Sequence, residues 1–126
     1  MIWVRAIRQN GQYQSFTIKG HAEYAEPGED IICAAVSALV INAINSIEKF
    51  TEDPFTCDCE DGVIKSWEFT SDVSKETRLL MDSLMLGLEG IQKSYGEEYI
   101  VIDKCKKDVP APLFPGYLSK SKTEKL

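Results

Sequence analysis

The sequence predicts an α+β fold: a single-domain sandwich in which two helices pack against a mostly antiparallel sheet in the order ββαββαβ. Two segments carry apolar residues at helical spacing, and short strand-like runs precede and follow them. The chain has 126 residues, of which 44% are hydrophobic and 27% are charged. That length and balance are typical of one globular domain with its own core.

A β-hairpin is predicted at the N-terminus. Residues 1–8 loosely alternate apolar and polar side chains and include Trp and Val, which favour strands. Asn10-Gly11 is a strong signal for a hairpin turn, and residues 13–19 alternate again. Residues 20–30 then combine two glycines, a proline and four acidic residues without apolar periodicity, which predicts a mobile loop.

The first helix is predicted over residues 31–50, with Asp30 as its N-cap because Asp is favoured at that position. Its apolar residues cover most of the helix circumference, which predicts burial on more than one side. They are Ile32, Val36, Leu39, Val40, Ala43, Ile44 and Ile47.

A second hairpin and a second helix complete the predicted domain. Residues 54–59 and 63–70 are predicted as strands that turn at Asp61-Gly62. Residues 72–95 are predicted as a helix with a clear apolar stripe, and residues 98–103 as the last strand. We expect the stripe to be core, not a ligand site; it consists of Leu80, Leu84, Leu88 and Ile91, flanked by Met81 and Met85.

We therefore assign residues 1–103 to the domain and residues 104–126 to a C-terminal tail. The tail is rich in Pro and Lys and has no periodic pattern, which predicts a flexible segment. None of the candidate catalytic residues lies in this tail.

Charge and targeting signals limit the classes of partner. The formal net charge is −6, which argues against direct binding of nucleic acid and suits a basic partner. Arg5 and Arg8 interrupt the N-terminal apolar residues, so no signal peptide is predicted, and no run of about 18 apolar residues predicts a membrane span. We expect a cytoplasmic protein whose four cysteines are reduced thiols.

One cysteine and one histidine are candidates for nucleophilic chemistry. His21 is the only histidine of the chain, and Cys33 lies three residues after the predicted N-cap. A free thiol has a pKa near ~8.5, so lowering it to about 6 requires roughly 3.4 kcal/mol in favour of the thiolate. A helix terminus supplies typically ~0.3–1 kcal/mol, so the His21 imidazolium would have to supply most of the remainder.

If the two side chains meet, Cys33 would attack a peptide carbonyl, while His21 would protonate the leaving amine and then activate water. Backbone N–H groups at the helix start would bind the oxyanion. Asp30 and Ser37 share the helix face of Cys33 at i−3 and i+4. Asp30 would either orient the imidazole or cap the helix, and Ser37 would either contact substrate or bond back to its own helix.

The segment from Gly20 to Leu39 strongly resembles the signature of the bacterial ribosomal-processing cysteine protease (Prp) family. That signature has a Gly-His-Ala before a flexible loop and a Gly-x-Asp-x-x-Cys-Ala-Ala-x-Ser at the helix start. The matching positions are Gly20, His21, Ala22, Gly28, Asp30, Cys33, Ala34, Ala35 and Ser37. The resemblance in element order extends to about residue 103.

The resemblance implies a homodimeric cysteine endopeptidase. It would remove the N-terminal extension of the large-subunit ribosomal protein numbered twenty-seven, cutting after paired aromatic residues. It implies catalytic roles for His21 and Cys33, places Asp30 and Ser37 as active-site neighbours, and makes Gly20 the hinge of a loop that orders on substrate. Acidic side chains of that loop would suit a basic ribosomal substrate: Glu23, Glu26 and Glu29.

Two other functions compete with this prediction. A non-catalytic ribosome-associated binding protein would keep the fold without turnover. A zinc-stabilised structural protein would use Cys57, Cys59, Cys105 and His21, because zinc accepts Cys and His in fours. The cysteines lack Cys-x-x-Cys spacing and lie on scattered elements, so we expect no metal and no cofactor.

Overall fold

The computed structural model describes residues 1–20, 27–60 and 63–106. Their order is ββαββαβ, as predicted. The elements are β1 (Ile2–Gln9), β2 (Gln12–Lys19), α1 (Pro27–Phe50), β3 (Phe55–Glu60), β4 (Val63–Phe69), α2 (Lys75–Tyr95) and β5 (Ile100–Lys106).

The five strands form one mixed sheet in the order β3-β4-β2-β1-β5. Three of its pairings are antiparallel, and β1 with β5 is the parallel one. The parallel pair follows from chain direction. Strand β4 runs the same way as β1, and α2 carries the chain back along the sheet so that β5 starts at the same end as β4. The expectation of a mostly antiparallel sheet with two helices is confirmed.

The first turn forms because its two residues tolerate left-handed backbone. Asn10 has φ of 55° and Gly11 has φ of 77°. A two-residue hairpin turn whose twist matches that of the strands requires positive φ at both positions, and Asn-Gly is the favoured pair there. This turn sets the register that places Val4 opposite Ile18 and Ala6 opposite Phe16.

Alternate strand residues and the buried sides of both helices form one core cluster. We call the face of the sheet that joins this cluster the inner face. Phe16 and Trp67 are opposite each other on it and stack with ring centroids 4.4 Å apart. Inner-face and helical members of the core include Ile2, Val4, Ala6, Phe69, Ile32, Val36, Ile47, Met81, Leu84 and Leu88.

The ends of α2 are well capped. The Ser74 hydroxyl accepts a hydrogen bond from the backbone N–H of Thr77, and at the other end Gly96 has φ of 106° and donates its N–H to the carbonyl of Gln92. These groups satisfy backbone donors and acceptors that a helix leaves open at its ends. The helix therefore begins at Lys75 and not at residue 72, because Ser74 is the capping residue.

Other boundaries shift as well. Helix α1 begins at Pro27, four residues before the predicted start, and β5 continues through Lys106. Proline suits the first turn of a helix, because its φ is already helical and its missing N–H would have no partner there. The turn predicted at Asp61-Gly62 and the tail after residue 106 lie outside the described residues.

Among the described residues, one helix is long and apolar enough to cross a membrane by length and composition. Its span Ile31–Phe50 has a mean hydropathy of 1.8, although polar residues interrupt the run. The core helix of a globular domain has the same profile, and one side of α1 is packed against the sheet. This helix is therefore weak evidence for membrane insertion.

Candidate active site

Cys33 lies on α1, half-buried, and packs against the edge of the core cluster. It is the seventh residue of the helix, so it stands at the end of the second turn. Neighbouring Ile32 is buried at 1% exposure and anchors this part of the helix to the sheet. A half-buried sulfur on a rigid helix is fixed in place and still open to a substrate on one side.

The expectation that Asp30 is the N-cap is wrong. The helix begins at Pro27, so Asp30 is a residue of its first turn. The free backbone N–H groups at the start of a helix belong to its first four residues, and the influence of the dipole falls off within that turn. Cys33 lies beyond them, so the helix start contributes less to a thiolate than the sequence suggested, and an imidazolium would have to contribute more.

Position 20 directly follows β2 and requires glycine for two separate reasons. Its φ is 84°, which other residues rarely adopt. A Cβ at this position would also overlap the backbone oxygen of Met1 and lie 3.3 Å from Cδ1 of Trp3. The chain leaves the sheet here in a direction that a side chain would obstruct. His21 follows at once, and it lies outside the described residues.

Ser37 is exposed on α1, one turn after Cys33, so both side chains lie on the same face of the helix. Asp30 lies on α1 three residues before Cys33. The structure thus brings Cys33 and Ser37 onto one helix face with the backbone of Asp30 near it.

Sequence reasoning missed Trp3 as a neighbour of Gly20. Strand alternation turns Ile2 and Val4 to the inner face and Trp3 to the other face, where it is 50% exposed. A cleft of about 460 Å³ opens there. It is lined by Trp3, Val4, Arg5, Thr17, Lys19 and Asp103. The alternation of β1 alone would have revealed an outward tryptophan, but only the fold places it against Gly20.

The sulfurs considered for zinc do not gather into one site. Cys57 and Cys59 lie on β3 at one edge of the sheet, whereas Cys105 is buried on β5 at the other edge. Within the described part of the chain, no cluster of three or more metal-ligating side chains occurs. Burial and the neighbouring Cys59 thiol raise the pKa of Cys57 to about 11. That shift opposes a nucleophilic role for Cys57 at neutral pH.

Comparison with known proteins matches the sequence of this chain to one family. The model of the family described as "Cysteine protease Prp" matches residues 1–100. The ribosomal processing cysteine protease Prp of Bacillus subtilis is 35% identical over 86 residues, which cover 64% of this chain and 77% of the relative. The protein of the same name from Staphylococcus aureus is 26% identical over 95 residues, covering 72% and 87% of the two chains.

Solved structures share the fold. A Streptococcus mutans protein aligns with a TM-score of 0.70 at 28% identity, over 84% of this chain and 98% of its own. Prp from S. aureus with a covalently linked product peptide aligns with a TM-score of 0.73 at 25% identity, over 82% and 99%. The S. aureus enzyme in complex with a substrate peptide aligns with a TM-score of 0.75 at 24% identity, over 82% of this chain and 99% of its own. This alignment supports the same fold.

Proposed function

Because the chain belongs to the cysteine protease Prp family and is a cysteine protease, we propose that it removes the N-terminal extension of the large-subunit ribosomal protein numbered twenty-seven. Its curated relatives are named ribosomal processing cysteine proteases, which supports a ribosomal protein as substrate. The observation that carries the proposal is the position of Cys33, half-buried on α1 and packed at the edge of the core.

We assign the chemistry to two side chains. The Cys33 sulfur attacks the scissile carbonyl and forms an acyl-enzyme, while His21 gives a proton to the leaving amine. His21 then takes a proton from water, which attacks the thioester and releases the extension and the free thiol. Because Cys33 lies beyond the free N–H groups of the helix start, the ion pair with His21 carries most of the thiolate stabilisation in this scheme.

The other motif residues act around this pair. We propose that Asp30 and Ser37 are neighbours of the reacting groups and that Gly20 is the hinge of the segment that carries His21. The positive φ of Gly20 and its contact with β1 support the hinge, because only glycine allows the chain to turn there. Acidic residues in that segment suit a basic substrate: Glu23, Glu26 and Glu29.

The cleft beside Gly20 is the surface to which we assign part of the substrate chain. The cleft is lined by the exposed indole of Trp3, by the cations of Arg5 and Lys19 and by the carboxylate of Asp103. An apolar ring among a few convergent polar groups is a common lining of ligand-binding clefts. Its position at the end of β2 supports this assignment, because the segment carrying His21 begins there.

A homodimer is the assembly that we propose. Both helices leave large apolar side chains on their outward sides, and Leu79 and Leu86 are two turns apart on α2 with exposures of 69% and 72%. Isolated apolar side chains are common on protein surfaces, but neighbouring helices that both carry them favour an interface. The exposed apolar side chains of α1 are those of Ile31, Ile41 and Phe50.

We place the enzyme in the cytoplasm, where it would meet newly made ribosomal proteins, without direct contact with nucleic acid. The net charge of −6 supports the absence of nucleic-acid contact, because a nucleic-acid backbone would repel a negatively charged protein.

The test is cleavage of a peptide that carries the extension and the first mature residues of that ribosomal protein. Mass spectrometry locates the cut, and Cys33→Ala is the control. One cut that disappears in Cys33→Ala is expected. A peptide left intact by the wild-type chain would refute the proposed substrate, and equal cleavage by Cys33→Ala would refute the assigned nucleophile.

A further inference from the structure

The outer face of the sheet, which is the face away from the core, carries a strip of short hydroxyl side chains. In the part of the chain that the structure describes, both helices pack on the inner face. Ser15 and Thr17 of β2 point outward because they alternate with inward Phe16, and Ser66 of β4 does so because it precedes inward Trp67. Thr17 lies directly opposite Ser66, and the three hydroxyl residues are half-buried. The centre of the outer face is therefore polar and low.

A cleft of about 380 Å³ opens over this strip. Thr17 lines it and also lines the cleft beside Gly20, so the two clefts adjoin on the outer face. Thr17 is three residues before Gly20, which corresponds to roughly 10 Å of extended strand. An extended chain that fills one cleft therefore reaches the other with a few further residues.

Two carboxylates stand over the strip on its β3 side. Glu68 lies opposite Ser15 on one neighbouring strand and opposite Thr56 on the other. Asp58 lies opposite Ser66. Both carboxylates are exposed and line the cleft, and no described Lys or Arg lines it with them. We call this surface, formed by Asp58, Glu68 and the hydroxyl strip, the acidic cleft.

The chain does not neutralise these carboxylates itself. Lys65 is the one basic residue of β3 and β4, and its ammonium pairs with Glu60 at 3.0 Å. Across residues 1–20, 27–60 and 63–106, no ion pair involves Asp58 or Glu68. The acidic cleft therefore presents two negative charges that an external cation can pair with.

The donor set favours an organic cation over a metal ion. Calcium and magnesium require about six or more oxygen ligands. No group of three or more metal-ligating side chains occurs among the described residues. An ammonium or guanidinium group needs only one or two carboxylates, with hydroxyls beside them for neighbouring peptide groups.

We propose that the acidic cleft is an exosite, a binding surface apart from the cut, for an extended Lys- or Arg-bearing segment of the ribosomal substrate. The inference rests on the function proposed above, which supplies a basic substrate. Asp58 and Glu68 accept hydrogen bonds from the cationic side chains, and the hydroxyl strip bonds to the backbone of the segment. Nucleic acid does not fit this surface, because the carboxylates repel phosphate.

Steady-state kinetics with two peptides tests the exosite. Both peptides contain the same cut, and their flanking residues carry Lys in one peptide and Gln in the other. Asp58→Asn/Glu68→Gln should raise KM for the Lys peptide about four- to twentyfold, because each exposed ion pair contributes about two- to fivefold. It should leave kcat unchanged for both peptides and KM unchanged for the Gln peptide, because the exosite holds the substrate and takes no part in bond breaking.

The matched control is Glu52→Gln/Asp72→Asn, which removes the same charge from two exposed carboxylates outside the acidic cleft. KM for the Lys peptide should not change in this control. An equal rise in the control would show that only the overall charge matters, and an equal rise for both peptides would show that the cleft does not recognise cations. Either result would overturn the exosite, as would an unchanged KM in Asp58→Asn/Glu68→Gln.

Failure of the protease proposal is distinguished by a binding measurement. If the wild-type chain cuts neither peptide, the proposed substrate is wrong, and fluorescence anisotropy of the labelled Lys peptide on the full Cys33→Ala chain still tests the cleft. The Kd should rise about four- to twentyfold when Asp58→Asn/Glu68→Gln is added to Cys33→Ala. A Kd that does not change would overturn the exosite independently of cleavage.

Discussion

The carboxylate of Asp53 accepts hydrogen bonds from both the backbone N–H and the hydroxyl of Ser74, at 3.0 and 2.6 Å. It also accepts one from the hydroxyl of Thr77, while the Asp53 N–H donates to the Thr51 hydroxyl at 3.2 Å. One side chain thus joins the segment that follows α1 to the first turn of α2. Both helices carry core residues, so the link fixes the start of α2 relative to the end of α1.

Asp53→Ala is expected to lower the free energy of unfolding by about 1–3 kcal/mol, because it leaves the capping donors of α2 without their charged acceptor. Denaturant unfolding measures the loss. Glu52→Ala is the matched control, since Glu52 is the exposed neighbour. An effect of equal size in both variants would show that Asp53 has no special role.

The same carboxylate predicts a dependence on pH. Burial would raise the pKa of Asp53, but hydrogen bonds from Ser74, Thr77 and Thr51 outweigh burial and lower it below its usual 3.8. A lowered pKa means that the stabilisation is complete above pH 3.8 and disappears as pH falls through the folded-state value. The stability difference between wild type and Asp53→Ala should therefore shrink in acid. A difference that stays constant down to the lowest pH at which the fold persists would contradict this.

Alkylation by iodoacetamide near neutral pH is expected to be faster at Cys33 than at a model thiol, because a thiolate paired with an imidazolium is the reactive form. His21→Ala should abolish the excess rate and peptide cleavage together, since the chain has no second imidazole. Mass spectrometry of the modified peptide gives the rate at each cysteine, with exposed Cys59 as an internal reference. Normal cleavage by His21→Ala would refute the proposed dyad.

Gly20→Ala should slow peptide cleavage, because the new Cβ meets the backbone of Met1 and the ring of Trp3 at a positive φ. Thermal unfolding separates two causes: a hinge effect lowers kcat in a chain that still melts near the wild-type temperature, whereas strain alone lowers the melting temperature. Gly90→Ala is the control, since a Cβ there has open space. An unchanged rate would remove the hinge from the mechanism.

Trp3→Ala is expected to raise KM for the peptide several-fold and to change kcat little, because the indole lines the cleft and takes no part in bond breaking. Steady-state kinetics with the extension peptide measures both parameters. An unchanged KM would show that the substrate does not occupy this cleft.

Leu86→Lys should dissociate the proposed dimer, because it places a charge on the outward apolar side of α2. Sedimentation of the variant gives its mass in solution. Thr56→Lys is the control, on the outer face of the sheet opposite Glu68. A wild-type chain that sediments as a monomer would refute the dimer, as would a dimer that Leu86→Lys leaves intact.

Much of the fold could be predicted because its signals are local. The Asn10-Gly11 turn depends on backbone preferences of two adjacent residues, and the core stripes of both helices follow from helical spacing. The start of α1 was missed because Pro27 was interpreted as a loop residue, although it also suits a first turn. This error placed Cys33 too near the free N–H groups of the helix.

The sequence by itself determined the order of the elements, the family motif around Cys33 and the need for glycine before His21, because each depends on residues close together in the chain. Only the tertiary structure decided which distant groups meet: Trp3 lies against Gly20, and the Asp53 carboxylate accepts hydrogen bonds from Ser74. Those contacts depend on strand order and helix placement, and these in turn result from packing of the whole core.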